Sequence, residues 1–154
     1  MINADQLRNL IILPVLERLE PAFPGAKNPA AVNLLLGTAF HESLGGTYIK
    51  QIQGPALGIY QMEPATHDSL WDNYINYGEH RVSAIHGFTR HGNHGQLIYD
   101  LNYATAMARI AYYSESFPWC APDDVMGLGE IWKEYYNTPL GAGTIEQFME
   151  HYPL

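Results

Sequence analysis

Cysteine, positive charge and long apolar runs are all scarce in this sequence, and each scarcity excludes a class of protein. Cys120 is the single cysteine, so the chain forms no internal disulfide bond. Lys and Arg number 8 against 16 Asp and Glu, and no basic run occurs, which argues against nucleic-acid binding. No stretch reaches the roughly 18 uninterrupted apolar residues that a membrane-spanning helix needs. Disulfide-rich, nucleic-acid-binding and membrane-spanning proteins are therefore not expected.

The amino-terminal segment, residues 1–19, also lacks the basic start and apolar middle of a secretory signal. Asn3, Asp5, Arg8 and Glu17 interrupt it. We therefore expect the protein to be made in the cytoplasm without a signal peptide.

Composition and periodicity predict one mainly α domain over residues 1–154. Hydrophobic residues make up 47% of the chain, which suffices for a core, and no repeat or linker divides it. Helical spacing of apolar residues predicts about six helices, over 7–19 (with Pro14 as a kink or break), 30–42, 64–77, 100–116, 123–136 and 145–152. Residues 47–63 predict a short irregular β segment or hairpin. Residues 78–99 are expected to form a long loop, a flap over a site, or one weak helix.

Glu42 is the main candidate for a catalytic residue. Asn28-Pro29 predicts a helix start, and the nearly all-apolar run 30–42 predicts a buried helix that ends in a glycine turn. A carboxyl group at this end of a buried helix faces the negative end of the helix dipole and is poorly solvated, and both effects raise its pKa. A carboxyl that stays protonated near neutral pH is suited to protonate a glycosidic oxygen. The alternative interpretation is an ordinary polar residue that closes a helix.

Four short motifs follow one another along the chain. They are Glu42-Ser43, Gly58-Ile59-Tyr60-Gln61-Met62, Pro64-Ala65-Thr66 and Tyr136-Asn137. In order and spacing they resemble the lytic transglycosylase and goose-type lysozyme group of the lysozyme-like superfamily, particularly its small phage-encoded members. The resemblance covers most of residues 30–150. It implies a lysozyme-like α+β fold and cleavage of the β-1,4 bond between N-acetylmuramic acid and N-acetylglucosamine in peptidoglycan.

The motif residues other than Glu42 are candidates for binding the glycan. They are Ser43, Gly58, Tyr60, Gln61, Met62, Tyr136 and Asn137. Glycine leaves backbone uncovered for a sugar ring, and the Gln61 amide offers both a donor and an acceptor to N-acetyl and hydroxyl groups. The tyrosines either stack on sugar faces or orient Glu42, and Asn137 holds a substrate amide or the acid. The alternatives are local: a turn, an exposed amide, and aromatic core packing.

The chain has no Asp or Glu between Glu42 and Gln61, whereas many glycosidases use a pair of carboxylates. The resemblance implies a single-acid mechanism, in which Glu42 protonates the leaving oxygen and then takes a proton from the substrate's 6-hydroxyl. That hydroxyl closes a 1,6-anhydro ring. Hydrolysis by a lysozyme-type reaction, with Asp68 or Asp72 positioning water, is the alternative.

The resemblance also implies a phage protein that acts on the cell wall, as a virion component or through a lysis pathway. Its partners would be peptidoglycan strands and other virion proteins. A virion structural protein with a lysozyme-like fold and little activity is the second hypothesis, and a chitinase-like enzyme is a third.

No cofactor or metal is expected. Seven histidines are many for this length, and His80, His86, His91 and His94 cluster in the sequence, but they lack the spacing of known zinc motifs. We expect the segment that carries them to shape the glycan groove instead, with Arg90 or His91 reaching the substrate. Trp71, Trp119 and Trp132 are first of all candidates for the core, and the alternative is that one of them forms the floor of a sugar subsite.

Overall fold

The computed structural model describes residues 1–138 and 140–153 and is built mainly of helices. They are α1 (Ala4–Gln6, Leu7–Ile12 and Leu13–Leu19), α2 (Pro29–Ser43), α3 (Pro64–Asn73), α4 (Glu79–His86), α5 (Gln96–Tyr99), α6 (Leu101–Tyr113), α7 (Val125–Trp132, continued by Lys133–Asn137) and α8 (Ile145–His151). The mainly α class predicted from periodicity is confirmed. The predicted domain, 1–154, includes positions 139 and 154, which lie outside the described residues.

The first helix continues past Pro14, where the sequence predicts a kink or a break. Its middle part, Leu7–Ile12, is π-helical, and the Leu13 N–H donates to the Arg8 carbonyl five residues earlier. Proline has no N–H to donate, and its ring crowds the carbonyl four residues before it. The wider π turn immediately before Pro14 accommodates the ring, so α1 extends to Leu19.

The second helix is buried along most of its length and carries the candidate catalytic residue in its last turn. The Asn28 side chain accepts a hydrogen bond from the Ala30 N–H (2.8 Å), as the sequence predicts for a cap followed by proline. A Cβ added at Gly37 would lie 2.4 Å from the Phe148 ring, so α8 approaches the backbone of α2 closely. The helix ends at Leu44, whose backbone is left-handed (φ 50°).

The segment between α2 and α3 forms turns rather than regular strands. Two isolated antiparallel bridges, Lys50↔Leu57 and Leu57↔Met62, are the β pairing found within the described residues. The backbone turns at Gly58 (φ 77°) and again at Gln61 (φ 49°), so it changes direction too often to extend a ladder. The predicted hairpin is therefore reduced to these two bridges.

Residues 78–99 contain two helices, α4 and α5, where the sequence predicts a loop, a flap or one weak helix. The segment packs on α1: the Arg18 guanidinium lies 3.9 Å from the centre of the Phe88 ring and donates to the Gly87 carbonyl (2.8 Å). This contact is made by a charged planar group stacked on an aromatic face, so the weak apolar periodicity of residues 78–99 does not predict it.

Buried apolar side chains form one cluster that includes residues of α1, α2, α6, α7 and α8. It carries the two walls on which the candidate site lies, the end of α2 and the end of α7. Among the described residues, no helix is both long and apolar enough to cross a lipid bilayer.

Candidate active site

A cleft of about 700 Å³ opens beside the carboxyl end of α2. Its walls come from six parts of the chain: the end of α2, the turns before α3, the start of α3, α6 (through Ala111), the end of α7 and the segment before α8. The lining residues include His41, Glu42, Gln61, Glu63, Tyr136 and Asn137. Glu42 from the first motif and Gln61 and Met62 from the second thus meet Tyr136 and Asn137 at one cavity, although about 75–95 residues separate them from these two in the sequence.

Glu42 lines this cleft and is partly buried there. Desolvation raises the pKa of its carboxyl from 4.5 to about 7, as the sequence predicts, and a hydrogen bond from Trp132 opposes part of the rise. The Trp132 indole N–H donates to Glu42 Oε2 over 2.9 Å. The carboxyl is therefore about half protonated near neutral pH and can both give and accept a proton.

Replacing Glu42 with Gln should stabilise the protein at pH 8 and change its stability little at pH 4. The folded carboxyl has a pKa of about 7 and an ordinary Glu 4.5, so the unfolded state ionises first. The stability that the protonated group contributes is complete below pH 4.5 and is lost as the pH rises through 7. We expect a gain of roughly 2–3 kcal/mol in the free energy of unfolding at pH 8.

Urea unfolding at the two pH values measures this difference, and other titrating groups cancel between protein and variant. An equal effect of the substitution at pH 4 and pH 8 would contradict the raised pKa.

Trp132 packs against two aromatic rings. Its ring centre lies 4.3 Å from that of His41 and 5.5 Å from that of Phe148, which stacks on it from α8. Burial and the neighbouring His151 lower the pKa of His41 to about 4, so His41 is neutral at neutral pH. A neutral His41 places no positive charge beside Glu42, so it does not oppose the effect of desolvation on the pKa of the acid.

The end of α7 and the segment that follows it are tied together by Lys133. Its ammonium donates to the Asn137 side-chain oxygen (2.9 Å) and to the carbonyls of Gly141 (2.8 Å) and Gly143 (2.7 Å). Because Lys133 occupies the Asn137 oxygen, the Asn137 amide N–H groups are the part of that side chain free to meet a ligand in the cleft.

Tyr136 lines the cleft but its hydroxyl does not hold the acid. The hydroxyl donates to the Tyr60 carbonyl over 2.7 Å, and the ring stacks on Tyr112 with centres 5.2 Å apart. This bond ties α7 to the turns before α3. Of the two roles predicted for Tyr136, orienting Glu42 falls to Trp132 instead, and stacking on a sugar stays a prediction.

Gln61 and Met62 also line the cleft, as predicted. The Gln61 side-chain nitrogen donates to the Gly58 carbonyl over 2.8 Å, which fixes the side chain and leaves its oxygen as an acceptor. The Gln61 backbone is left-handed, a conformation that is uncommon for residues other than Gly, Asn and Asp. Such conformations cluster at functional sites.

Three of the predicted glycan-binding residues do not line the cleft but support it. The Ser43 hydroxyl is fully buried, donates to the Ala39 carbonyl and accepts from the Gly46 N–H. Gly58 is packed against the Leu97 carbonyl, and the Tyr60 ring is buried with its hydroxyl on Thr105 (2.8 Å). A local role, in a turn for Gly58 and in the packed interior for Ser43 and Tyr60, describes these residues better than contact with sugar.

The segment 78–99 contributes none of the described cleft-lining residues, so the prediction that it forms a flap over the groove is wrong. Arg90 and His91 accordingly lie away from the site. The reason is the packing of this segment on α1 through Arg18. Asp68 and Asp72, the predicted partners for hydrolysis, are exposed on α3 and are likewise outside the cleft lining. Glu63 is the second carboxylate that lines it.

Trp132 is buried in the core, as predicted, but the sequence does not indicate its contact with Glu42. No pattern in the sequence near Glu42 predicts this contact, because Trp132 is 90 residues away along the chain. No family model, curated protein or solved structure matches the chain. The resemblance to lytic transglycosylases therefore rests on the four sequence motifs.

Proposed function

We propose that this protein cleaves peptidoglycan glycan strands at the bond between N-acetylmuramic acid and N-acetylglucosamine, as a lytic transglycosylase with a lysozyme-like fold. The proposal rests on one observation: the Glu42 carboxyl lies in the cleft, and its pKa is raised to about 7. A group that is half protonated at working pH suits a reaction in which the same residue is first acid and then base.

In the first step Glu42 gives its proton to the glycosidic oxygen, and the bond from that oxygen to the anomeric carbon breaks. The ionised carboxylate then removes the proton of the 6-hydroxyl of N-acetylmuramic acid. The freed oxygen bonds to the anomeric carbon and closes a 1,6-anhydro ring. Glu42 ends protonated, and no water is consumed. The Trp132 N–H, 2.9 Å from the carboxyl, steadies the ionised form between the two steps.

The remaining cleft residues supply groups that suit an amino-sugar polymer. The Gln61 oxygen accepts, and the Asn137 amide N–H groups donate, which matches the N–H and C=O of an N-acetyl group. The Tyr136 ring offers an apolar face to a sugar ring. Recognition of the strand would thus come from two amides and one aromatic ring on opposite walls.

Isolated peptidoglycan incubated with the protein tests the proposal through mass spectrometry of the soluble products. We expect muropeptides that are lighter by one water than hydrolysis fragments and that lack a reducing end. No release from walls of several bacterial hosts would favour the second hypothesis, a virion structural protein with little activity. The phage origin follows from the resemblance alone and is tested by detecting the protein in purified particles.

Lysozyme-type hydrolysis is the second candidate reaction, because Glu63 lines the same cleft as Glu42. Its carboxylate, rather than that of Asp68 or Asp72, would then activate or position water.

Replacing Glu63 with Gln separates the two reactions. If the protein is a transglycosylase, the variant should still produce anhydro-muropeptides at nearly the original rate, because no carboxylate besides Glu42 takes part. If it is a hydrolase, the rate of reducing-end formation should fall about 10²-fold or more. Reducing-sugar assay and mass spectrometry on the same digests report both products. The substitution is on an exposed side chain, so loss of fold does not confuse the result.

A further inference from the structure

We propose that His67, Asp68 and His94 form a binding site for Zn²⁺ outside the cleft. His67 Nδ1 lies 2.9 Å from Asp68 Oδ1, and His94 Nδ1 lies 3.2 Å from the same oxygen. One ligand atom from each residue falls within 4.8 Å of those of the other two. Ligands in a tetrahedral zinc site, with bonds of about 2.0–2.1 Å, are about 3.3 Å apart, so little movement is needed to hold an ion.

The ring of His67 is already oriented as in a metal ligand. His67 is fully buried, and its second nitrogen, Nε2, lies 2.6 Å from the Tyr103 hydroxyl. Tyr103 is itself held by the Trp71 indole N–H at 2.9 Å. Histidines that bind metals generally have their other ring nitrogen fixed by such a partner, which sets the direction of the metal-binding nitrogen.

The donor set and its exposure determine the kind of ion and site. Two imidazoles and one carboxylate suit Zn²⁺ and related late first-row ions better than Mg²⁺ or Ca²⁺, which prefer oxygen ligands. The side chains of Asp68 and His94 are 53% and 42% exposed, so the outer side of the site is open to solvent. The ion would complete its coordination with water, as in exchangeable rather than closed structural sites.

Without an ion the same atoms form a chain of hydrogen bonds. Because the ionised Asp68 carboxylate can only accept, His67 Nδ1–H donates to it. The other nitrogen of the neutral ring, Nε2, then accepts the Tyr103 hydroxyl proton, and the Tyr103 oxygen accepts from the Trp71 indole. Metal binding to Nδ1 moves the His67 proton to Nε2, which reverses the bond to Tyr103. The ring nitrogens of His67 therefore report occupancy of the site directly.

The proposed site links the segment before α5, which carries His94, to α3 at the point where α3 borders the cleft. Thr66, which lines the cleft, immediately precedes His67. A bound ion would hold this wall in place without touching the substrate. The zinc site does not depend on the proposed enzymatic activity, and its test needs no peptidoglycan.

Calorimetric titration of the protein with Zn²⁺ and visible absorption with Co²⁺ test the site. We expect one ion per chain, and we expect His94→Ala and Asp68→Asn to weaken binding about tenfold or more. His91→Ala is the matched control, since it removes an exposed histidine three positions from His94 and should bind as the original does. The ¹⁵N shifts of His67 should exchange protonated and unprotonated nitrogens on binding.

Two results would overturn the proposal. One is the absence of binding heat and of a Co²⁺ spectrum with the original protein. The other is Zn²⁺ binding that His94→Ala leaves unchanged, which would assign the ion to other histidines such as the contacting pair His41 and His151. Both substitutions are on exposed side chains, and circular dichroism confirms that each variant is folded.

Discussion

Glu42→Gln should lower the rate of muropeptide release by about 10³-fold, within the range of 10²–10⁴ that general acid–base catalysis contributes. The amide has nearly the same shape and can still accept the Trp132 N–H, so the cleft stays intact. It cannot donate a proton of suitable acidity or accept one in return. Initial rates of release from labelled peptidoglycan, at equal protein concentrations, measure the loss.

The matched control is Glu17→Gln, which makes the same chemical change at an exposed position of α1. Its rate should equal that of the original protein. Retention of activity in Glu42→Gln, or an equal loss in both variants, would refute Glu42 as the acid. Because the stability of Glu42→Gln is expected to rise at pH 8, a loss of activity there cannot be attributed to unfolding.

Gly58→Ala should lower the free energy of unfolding by about 3 kcal/mol, the largest effect on stability that we expect from a single methyl group. Gly58 has a left-handed backbone (φ 77°), and an added Cβ would lie 2.2 Å from the Leu97 carbonyl oxygen. The backbone oxygen cannot move aside as a flexible side chain would. Urea unfolding monitored by circular dichroism measures the change.

Gly25→Ala separates the two causes of this loss. Gly25 is also left-handed (φ 89°), but no atom lies within 4 Å of an added Cβ. That variant should lose only about 1 kcal/mol, the cost of the backbone conformation. Equal losses in the two variants would show that the contact with Leu97 is not rigid. The Gly58 variant should also lose activity at temperatures where it is folded, because the Gly58 carbonyl holds the Gln61 side chain.

Local signals in the sequence predict the central helix and the acid at its end. Asn28 and Pro29 specify where α2 begins, and an uninterrupted apolar run specifies that it is buried. Burial in turn raises the pKa of Glu42. The cap and the apolar run are local to one helix, which is why the position and burial of α2 can be predicted without a structure. The burial of the Glu42 carboxyl also involves contacts from other elements, such as that of Trp132.

Features that depend on contacts between distant segments could not be predicted. Ser43 and Tyr60 belong to motifs beside the acid, yet their hydroxyls bond to Ala39 and Thr105 inside the protein. Whether a polar side chain points to a cleft or to the core depends on what packs against it. For the same reason, the sequence does not indicate the contact between Trp132 and Glu42 or the position of His94 beside α3.

The position of Trp132 also has a consequence for the order of synthesis. A ribosome makes Glu42 90 residues before the indole that bonds to it, and makes Phe148, which packs on that indole, later still. In a nascent chain that has not yet produced α8, Glu42 lacks part of the packing that surrounds it in the folded protein. We therefore expect chains cut short before that helix to have a Glu42 pKa nearer its ordinary value, and the raised pKa to arise only after α8 has been made.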